Sequence, residues 1–205
     1  MNKSINFDNE KEFINYTKID ESNKIDCGSE GVIYLTDNEK IIKYMIDPYA
    51  PKEYSEFPDI IMSDDLKLDS FIFPDELYIL DGQIIGYKED FFANNIFDPR
   101  NPAKSIDVEK LLKTREKLIE DAKVITDKGY KLFEFPGNVL YDTNKLVGID
   151  TLDYYKKNNI TLSENIGIID YALILELIDI YPEIDFNIKN SLENEIEKIY
   201  KYERK

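Results

Sequence analysis

The chain has 205 residues, 42% of them hydrophobic and 13% aromatic, with 26 lysines and arginines against 42 aspartates and glutamates, no histidine and one cysteine. A net charge of −16 repels phosphate backbones, so nucleic acid is not an expected partner, and the residue counts exclude a histidine base, a thiolate zinc site and an internal disulfide. The opening MNKSINFDNEKEF lacks a signal-peptide core and no later stretch approaches a membrane span, so a cytoplasmic location without membrane contact is expected.

The composition is that of a folded chain, able to form one domain or two small lobes. No internal repeat or low-complexity linker is visible, and the pattern changes near residue 105 from short strands to helices. Residues 31–36 (GVIYLT) and 40–46 (KIIKYMI) are β-rich runs joined by a polar turn. KEYSEF, residues 52–57, reads as the start of a short helix that Pro58 interrupts. Residues 77–80 and 83–87 flank Asp81-Gly82, a strong two-residue hairpin signal. A long helix is predicted from 107 to 128, capped by Ser105 or Asp107 and ended by Gly129, with Val108, Leu111, Leu112, Leu118, Ile119, Ala122 and Ile125 at helical spacing. Residues 138–150 form a second compact hairpin around Asp142-Thr143-Asn144. Two helices close the chain, near 168–180, apolar nearly all round and hence buried, and near 184–202, charged and amphipathic.

Two places carry chemistry. Asp26-Cys27-Gly28-Ser29-Glu30-Gly31-Val32-Ile33 bends sharply between strands, and glycines there let backbone N–H groups approach a phosphate; a hairpin turn that merely needs glycine explains the bend equally well. Lys43 lies inside the following strand among Ile41, Ile42, Tyr44 and Met45, where the bland reading is a strand-edge or snorkelling lysine. Asn138 and Asp150 stand at the two ends of one hairpin, so their oxygens can converge on a hard cation such as Mg²⁺, which takes few protein ligands. The bland reading makes Asn138 a turn residue and Asp150 a cap.

In this order the features resemble a protein-kinase-like family, whose pattern is a glycine-rich loop, a strand lysine, a catalytic loop ending in asparagine, and D-F-G. Gly28 and Gly31 match the loop's second and third glycines, Ile33 the residue beneath the adenine, and Lys43 the strand lysine; Asn138 resembles the catalytic-loop asparagine and Asp150 the metal-binding aspartate. The resemblance covers about residues 20–180 and implies a two-lobed α+β fold. A small antiparallel-sheet lobe would span about residues 1–90 and a reduced helical lobe about 91–205, as one kinase-like domain. It implies ATP and Mg²⁺ as cofactors, with Gly28, Ser29, Gly31, Ile33, Lys43 and Glu56 at the nucleotide and Asn138 and Asp150 at the metal. Lys43, Glu134, Asn138 and Asp150 would form the catalytic set. Expected partners are the nucleotide and a protein substrate or partner. The helix IIDYALILELID, with Asp170 near its start, resembles the central helix of the larger lobe.

The departures bear on activity. Asp26 replaces the first loop glycine, and D-F-G reads Asp150-Thr151-Leu152. The stretch from Asp150 to Asp170 is too short for an elaborate activation segment. Counting back from Asn138, the catalytic aspartate's place falls on Phe133; counting forward from Gly129 it falls on Glu134, whose extra methylene compensates for the shorter loop. Glu56, ahead of Glu53, is the favoured partner of Lys43, and Tyr87-Lys88-Glu89-Asp90 occupies the place of a nucleotide-binding hinge. Cys27 is either reactive and exposed or, more commonly for a cysteine, buried. An ATP/Mg²⁺-dependent phosphotransferase acting on a hydroxyl acceptor is the leading reading. A nucleotide-binding pseudokinase is the second, favoured by Phe133 and Asp26, and an acidic mimic of nucleic acid, motivated by charge alone, is the third.

Overall fold

The structure is a computed structural model that describes residues 3–28, 30–36, 38–46, 68–98, 100, 105–132, 137–181 and 194, and the backbone alone of 52–53. The chain is mixed α+β and divides into two compact units, the first drawn from residues 1–67 and 73–91, the second from 68–72 and 92–205.

The first unit opens with β1 (Lys3–Phe7) and α1 (Glu10–Thr17). The Asn9 side chain accepts from the Glu12 N–H at 3.1 Å, and Lys18 in the left-handed region closes the helix by donating to the Ile14 carbonyl. Strands β2 (Lys24–Cys27), β3 (Gly31–Leu35), β4 (Lys40–Met45), β5 (Lys52–Glu53), β6 (Glu76–Leu80) and β7 (Gln83–Asp90) follow. They join β1 in a sheet of order β1-β6-β7-β4-β3-β2, with β5 also on β7. All pairings are antiparallel except β1 with β6. The β6–β7 turn has Asp81 at φ 52° and Gly82 at φ 79°, the two positive values that a primed turn demands.

One face of this sheet is covered by α1 through an aromatic cluster. Phe13 is fully buried and packs with Phe7 and Tyr78 at ring separations of 5.6 and 5.4 Å, alongside Ile19 and Ile42. β1 and α1 have no counterpart among the expected elements, and β2 is the strand expected before the glycine bend. KEYSEF begins as strand rather than helix, since Lys52 and Glu53 pair with Ile84 and Gln83; Glu56 lies outside the described residues.

The second unit contains α2 (Val108–Asp127), β8 (Tyr130–Lys131), β9 (Val139–Tyr141), β10 (Leu146–Gly148), a single 3-10 turn (Thr151–Asp153), β11 (Tyr155–Lys156) and α3 (Leu162–Ile180). Asp107, not Ser105, caps α2. Its buried stripe is Val108, Leu111, Arg115, Leu118, Ala122 and Ile125, so a guanidinium sits where helical spacing alone would place a hydrocarbon. Arg115 is compensated by Asp170 of α3, with Nε–Oδ1 at 2.7 Å and Nη2–Oδ2 at 2.9 Å.

Helix α3 starts six residues before the predicted 168, because Thr161 and Glu164 form a reciprocal capping box. It is not buried all round: Asn165, Ile169, Ala172, Leu173 and Leu177 line its buried face, while Tyr171 is 51% exposed. The helix predicted at 184–202 lies, apart from Asn194, outside the described residues. Among the described residues no helix is long and apolar enough to cross a membrane.

Candidate functional site

Strand β4 lies between β3 and β7, so Lys43 is not on a sheet edge. Alternation along the strand sends Ile42 and Tyr44 toward α1 and Lys43 to the opposite face. There Lys43 stands directly across from Ile33 on β3 and Tyr87 on β7. Its ammonium lies 5.8 Å from the Tyr87 ring centroid and 3.7 Å from a Glu30 carboxylate oxygen, with side-chain exposures of 15% for Lys43 and 58% for Glu30. Predicted neighbours on the motif, Ile33 and Lys43, are thus neighbours on one sheet face. Among the described residues, Glu30, which the sequence reading did not single out, brings a carboxylate to Lys43 from the glycine bend.

The bend itself is a tight hairpin. Cys27 pairs with Val32, and the Gly28 N–H donates to the Gly31 carbonyl at 2.9 Å, leaving Glu30 at the tip; Ser29 lies outside the described residues. The Gly28 N–H, expected to approach a phosphate, is therefore committed to the turn. Gly31 has a packing reason to be glycine: a Cβ there would come within 2.5 Å of the Tyr44 carbonyl oxygen. Cys27 is exposed, against the commoner buried outcome. Tyr87 and Lys88 are paired on both sides and Glu89 and Asp90 with β4, so the stretch expected to act as a hinge is the end of β7.

In the second unit, β9 and β10 pair from Val139↔Gly148 to Tyr141↔Leu146. The turn is held by Asp142, whose Oδ1 accepts from the N–H groups of Asn144 and Lys145 at 2.9 and 2.8 Å. Burial, with Asp107 and Asp142 nearby, pushes the Tyr141 phenol up to about 12, so it stays a neutral donor to the Thr143 carbonyl. At the open end the ladder continues by one bond, from the Ile149 N–H to the Asn138 carbonyl at 2.9 Å. Asn138 and the residue next to Ile149, Asp150, are therefore brought together.

Asp150 adopts φ 53°, ψ 41°, a left-handed conformation that costs a non-glycine residue about 1 kcal/mol or more and persists only where the surroundings impose it. The surroundings here are specific. Thr151, 1% exposed, donates its hydroxyl to the Ile72 carbonyl at 3.2 Å, and Leu152 is buried. Segment 70–72 is bonded to both sides of Gly148, which has no room for a Cβ because the Phe71 ring would lie 2.7 Å away. The Ser70 N–H in turn donates to Asp121 of α2 at 2.8 Å. Thr151 thus anchors the turn by a hydrogen bond.

Phe133 and Glu134 lie outside the described residues, but the chain on either side is tied to α3. Asn165, 0% exposed, accepts from the Leu132 N–H at 3.0 Å and donates to Thr126 Oγ1 and the Tyr130 carbonyl. About three turns along the helix, Glu176 accepts from the Gly137 N–H at 2.7 Å, next to Asn138. Neither residue was singled out in sequence. Asp170, matched there to a family position, serves the ion pair with Arg115.

Among the described residues no group of three or more Cys, Asp or Glu side chains gathers into a metal cluster. An amide and a carboxylate suit Mg²⁺, whose remaining ligands come from phosphate and water. An open depression of about 290 Å³ in the second unit is lined by Lys131, Glu164, Gly167, Ile168 and Tyr171 and contains none of the predicted site residues.

No family model and no curated protein matches the chain. Among solved structures it is similar to the Lpg2603 kinase of Legionella pneumophila bound to IP6, at 16% identity and a TM-score of 0.48, over 90% of this chain and 68% of that one. That similarity assigns no role to any residue here.

Proposed function

We propose that this chain is a kinase-like phosphotransferase that binds ATP with Mg²⁺ and passes a phosphoryl group to a hydroxyl acceptor. In this reading residues 1–205 are one functional domain, with the sheet unit as the small lobe and the helical unit as the reduced larger lobe. The observation that carries it is the bond from the Ile149 N–H to the Asn138 carbonyl at the open end of the hairpin, which sets Asn138 opposite the residue that precedes Asp150, itself held left-handed. The chain supplies two oxygen donors there. Mg²⁺, when bound, supplies charge neutralisation of the phosphates. Lys43, half-buried beside Ile33, offers an ammonium to phosphate oxygens, and Ile33 an apolar surface to the base. Glu134 is assigned the base that takes the acceptor's proton, a role typically worth about 10²- to 10⁴-fold. Most of the acceleration of phosphoryl transfer comes from positioning and charge.

The pseudokinase reading is favoured by one observation: the Gly28 N–H is spent inside the hairpin and Glu30 stands at Lys43. Thermal melting with Mg-ATP, followed by phosphate transfer from labelled ATP, separates the two. A ligand at 100 times its Kd adds about 2.7 kcal/mol, several degrees for a chain of this size. Asp150→Ala is expected to abolish the Mg²⁺ dependence of that shift and Lys43→Ala to reduce it. A shift without transfer, unchanged by Glu134→Gln, selects the pseudokinase. No shift at millimolar nucleotide removes the enzyme reading.

A further inference from the structure

The Glu30–Lys43 contact has no counterpart among the residues first singled out, and it lies wholly within the sheet unit. Lys43 is held by its strand and by Tyr87, whereas the Glu30 side chain, at the hairpin tip, is 58% exposed. That tip is anchored by backbone: Gly28 N–H to Gly31 carbonyl at 2.9 Å, and Ile46 N–H to the Glu30 carbonyl at 3.1 Å. The backbone of Glu30 is thus anchored, and its exposed carboxylate lies beside the ammonium. Asp26 pairs with Ile33 in the same cross-strand row as Lys43.

An anion that approaches Lys43 meets attraction from the ammonium and repulsion from Glu30 at once. The repulsion grows with the charge on the anion. A metal-free triphosphate therefore loses more to Glu30 than a triphosphate whose charge a divalent cation has already reduced. We infer that Glu30 is a specificity-determining residue that makes Lys43 favour metal-complexed over metal-free nucleotide. This rests on the assignment of Lys43 to a nucleotide phosphate.

The test is a binding titration of the whole chain with ATP in EDTA and with ATP in excess MgCl₂, for wild type, Glu30→Gln and Glu30→Asp. Exposed charge pairs act with up to about 1 kcal/mol, which corresponds to about fivefold in affinity. Glu30→Gln is expected to tighten metal-free ATP by about three- to fivefold and to change Mg-ATP by less than about twofold, while Glu30→Asp keeps the wild-type ratio. Equal changes under both conditions, or weaker metal-free binding in Glu30→Gln, would overturn the inference and leave the nucleotide site standing. Absence of binding in all three proteins under both conditions would overturn the phosphotransferase reading and this inference with it.

Discussion

The two units keep their candidate residues in place by different means. In the sheet unit, Lys43 is located by strand register, over a sheet whose other face is sealed by the aromatic contacts of Phe13, Phe7 and Tyr78. In the helical unit, Asn138 and Asp150 depend on polar side chains that reach across from other elements: Asp121 to Ser70, Thr151 to Ile72, Glu176 to Gly137, Asn165 to Leu132. Register is a collective property of many ladder bonds and tolerates the loss of one. A buried polar side chain with its partners satisfied is a single point of failure, because its removal strands groups that water cannot reach.

The largest test of that contrast is Arg115→Met. Removing one partner of a buried bidentate pair leaves Asp170 uncompensated and is expected to cost about 3–5 kcal/mol in urea unfolding. Replacing both partners in Arg115→Met/Asp170→Leu should recover most of the loss; a double variant as unstable as the single would mean that the pair acts through packing alone. Next comes Asn165→Ala, which strands the Leu132 N–H and the Tyr130 carbonyl and should cost about 2–3 kcal/mol. A loss below about 0.5 kcal/mol would show that the segment before residue 133 does not rely on this amide.

The smallest effect is expected at the start of α3. Hydrogen bonds from Lys157 and from the Thr161 backbone and hydroxyl lower the Glu164 carboxyl to about 2. Because the folded value lies below the ordinary glutamate range, its stabilising contribution is complete at neutral pH. It is lost as the pH falls from about 4.5 toward 2. Glu164→Gln should therefore flatten that part of the stability–pH profile by a small amount, given the site's exposure. An unchanged acid limb would assign the box no electrostatic role.

Legibility in the sequence followed the same division. Asp81-Gly82 and the turn at 142–145 announce their hairpins, because positive φ and side-chain-to-backbone bonding belong to a few residue types. The motif pair Ile33 and Lys43 was readable because a short hairpin keeps sequence neighbours close. Two helix starts were readable and passed over: Asn9 with Glu12, and Thr161 with Glu164, both cap-and-third-residue patterns ahead of an apolar run. By contrast, nothing local marks Arg115 as buried or Glu176 as a backbone acceptor, since their partners lie far along the chain.

The amino-acid order by itself determined the local events: turn type, helix caps, the alternation that puts Lys43 on one sheet face and Ile42 on the other. These depend on φ/ψ preferences and side-chain reach within a few residues. Only the tertiary structure decided that Glu30 brings a carboxylate to Lys43, that Gly31 is small where the Tyr44 carbonyl of β4 comes close, and that the left-handed Asp150 is followed by a threonine bonded to the Ile72 carbonyl. Each of those outcomes is set by which distant segments arrive within hydrogen-bonding or contact distance, a property of packing and not of any short stretch of residues.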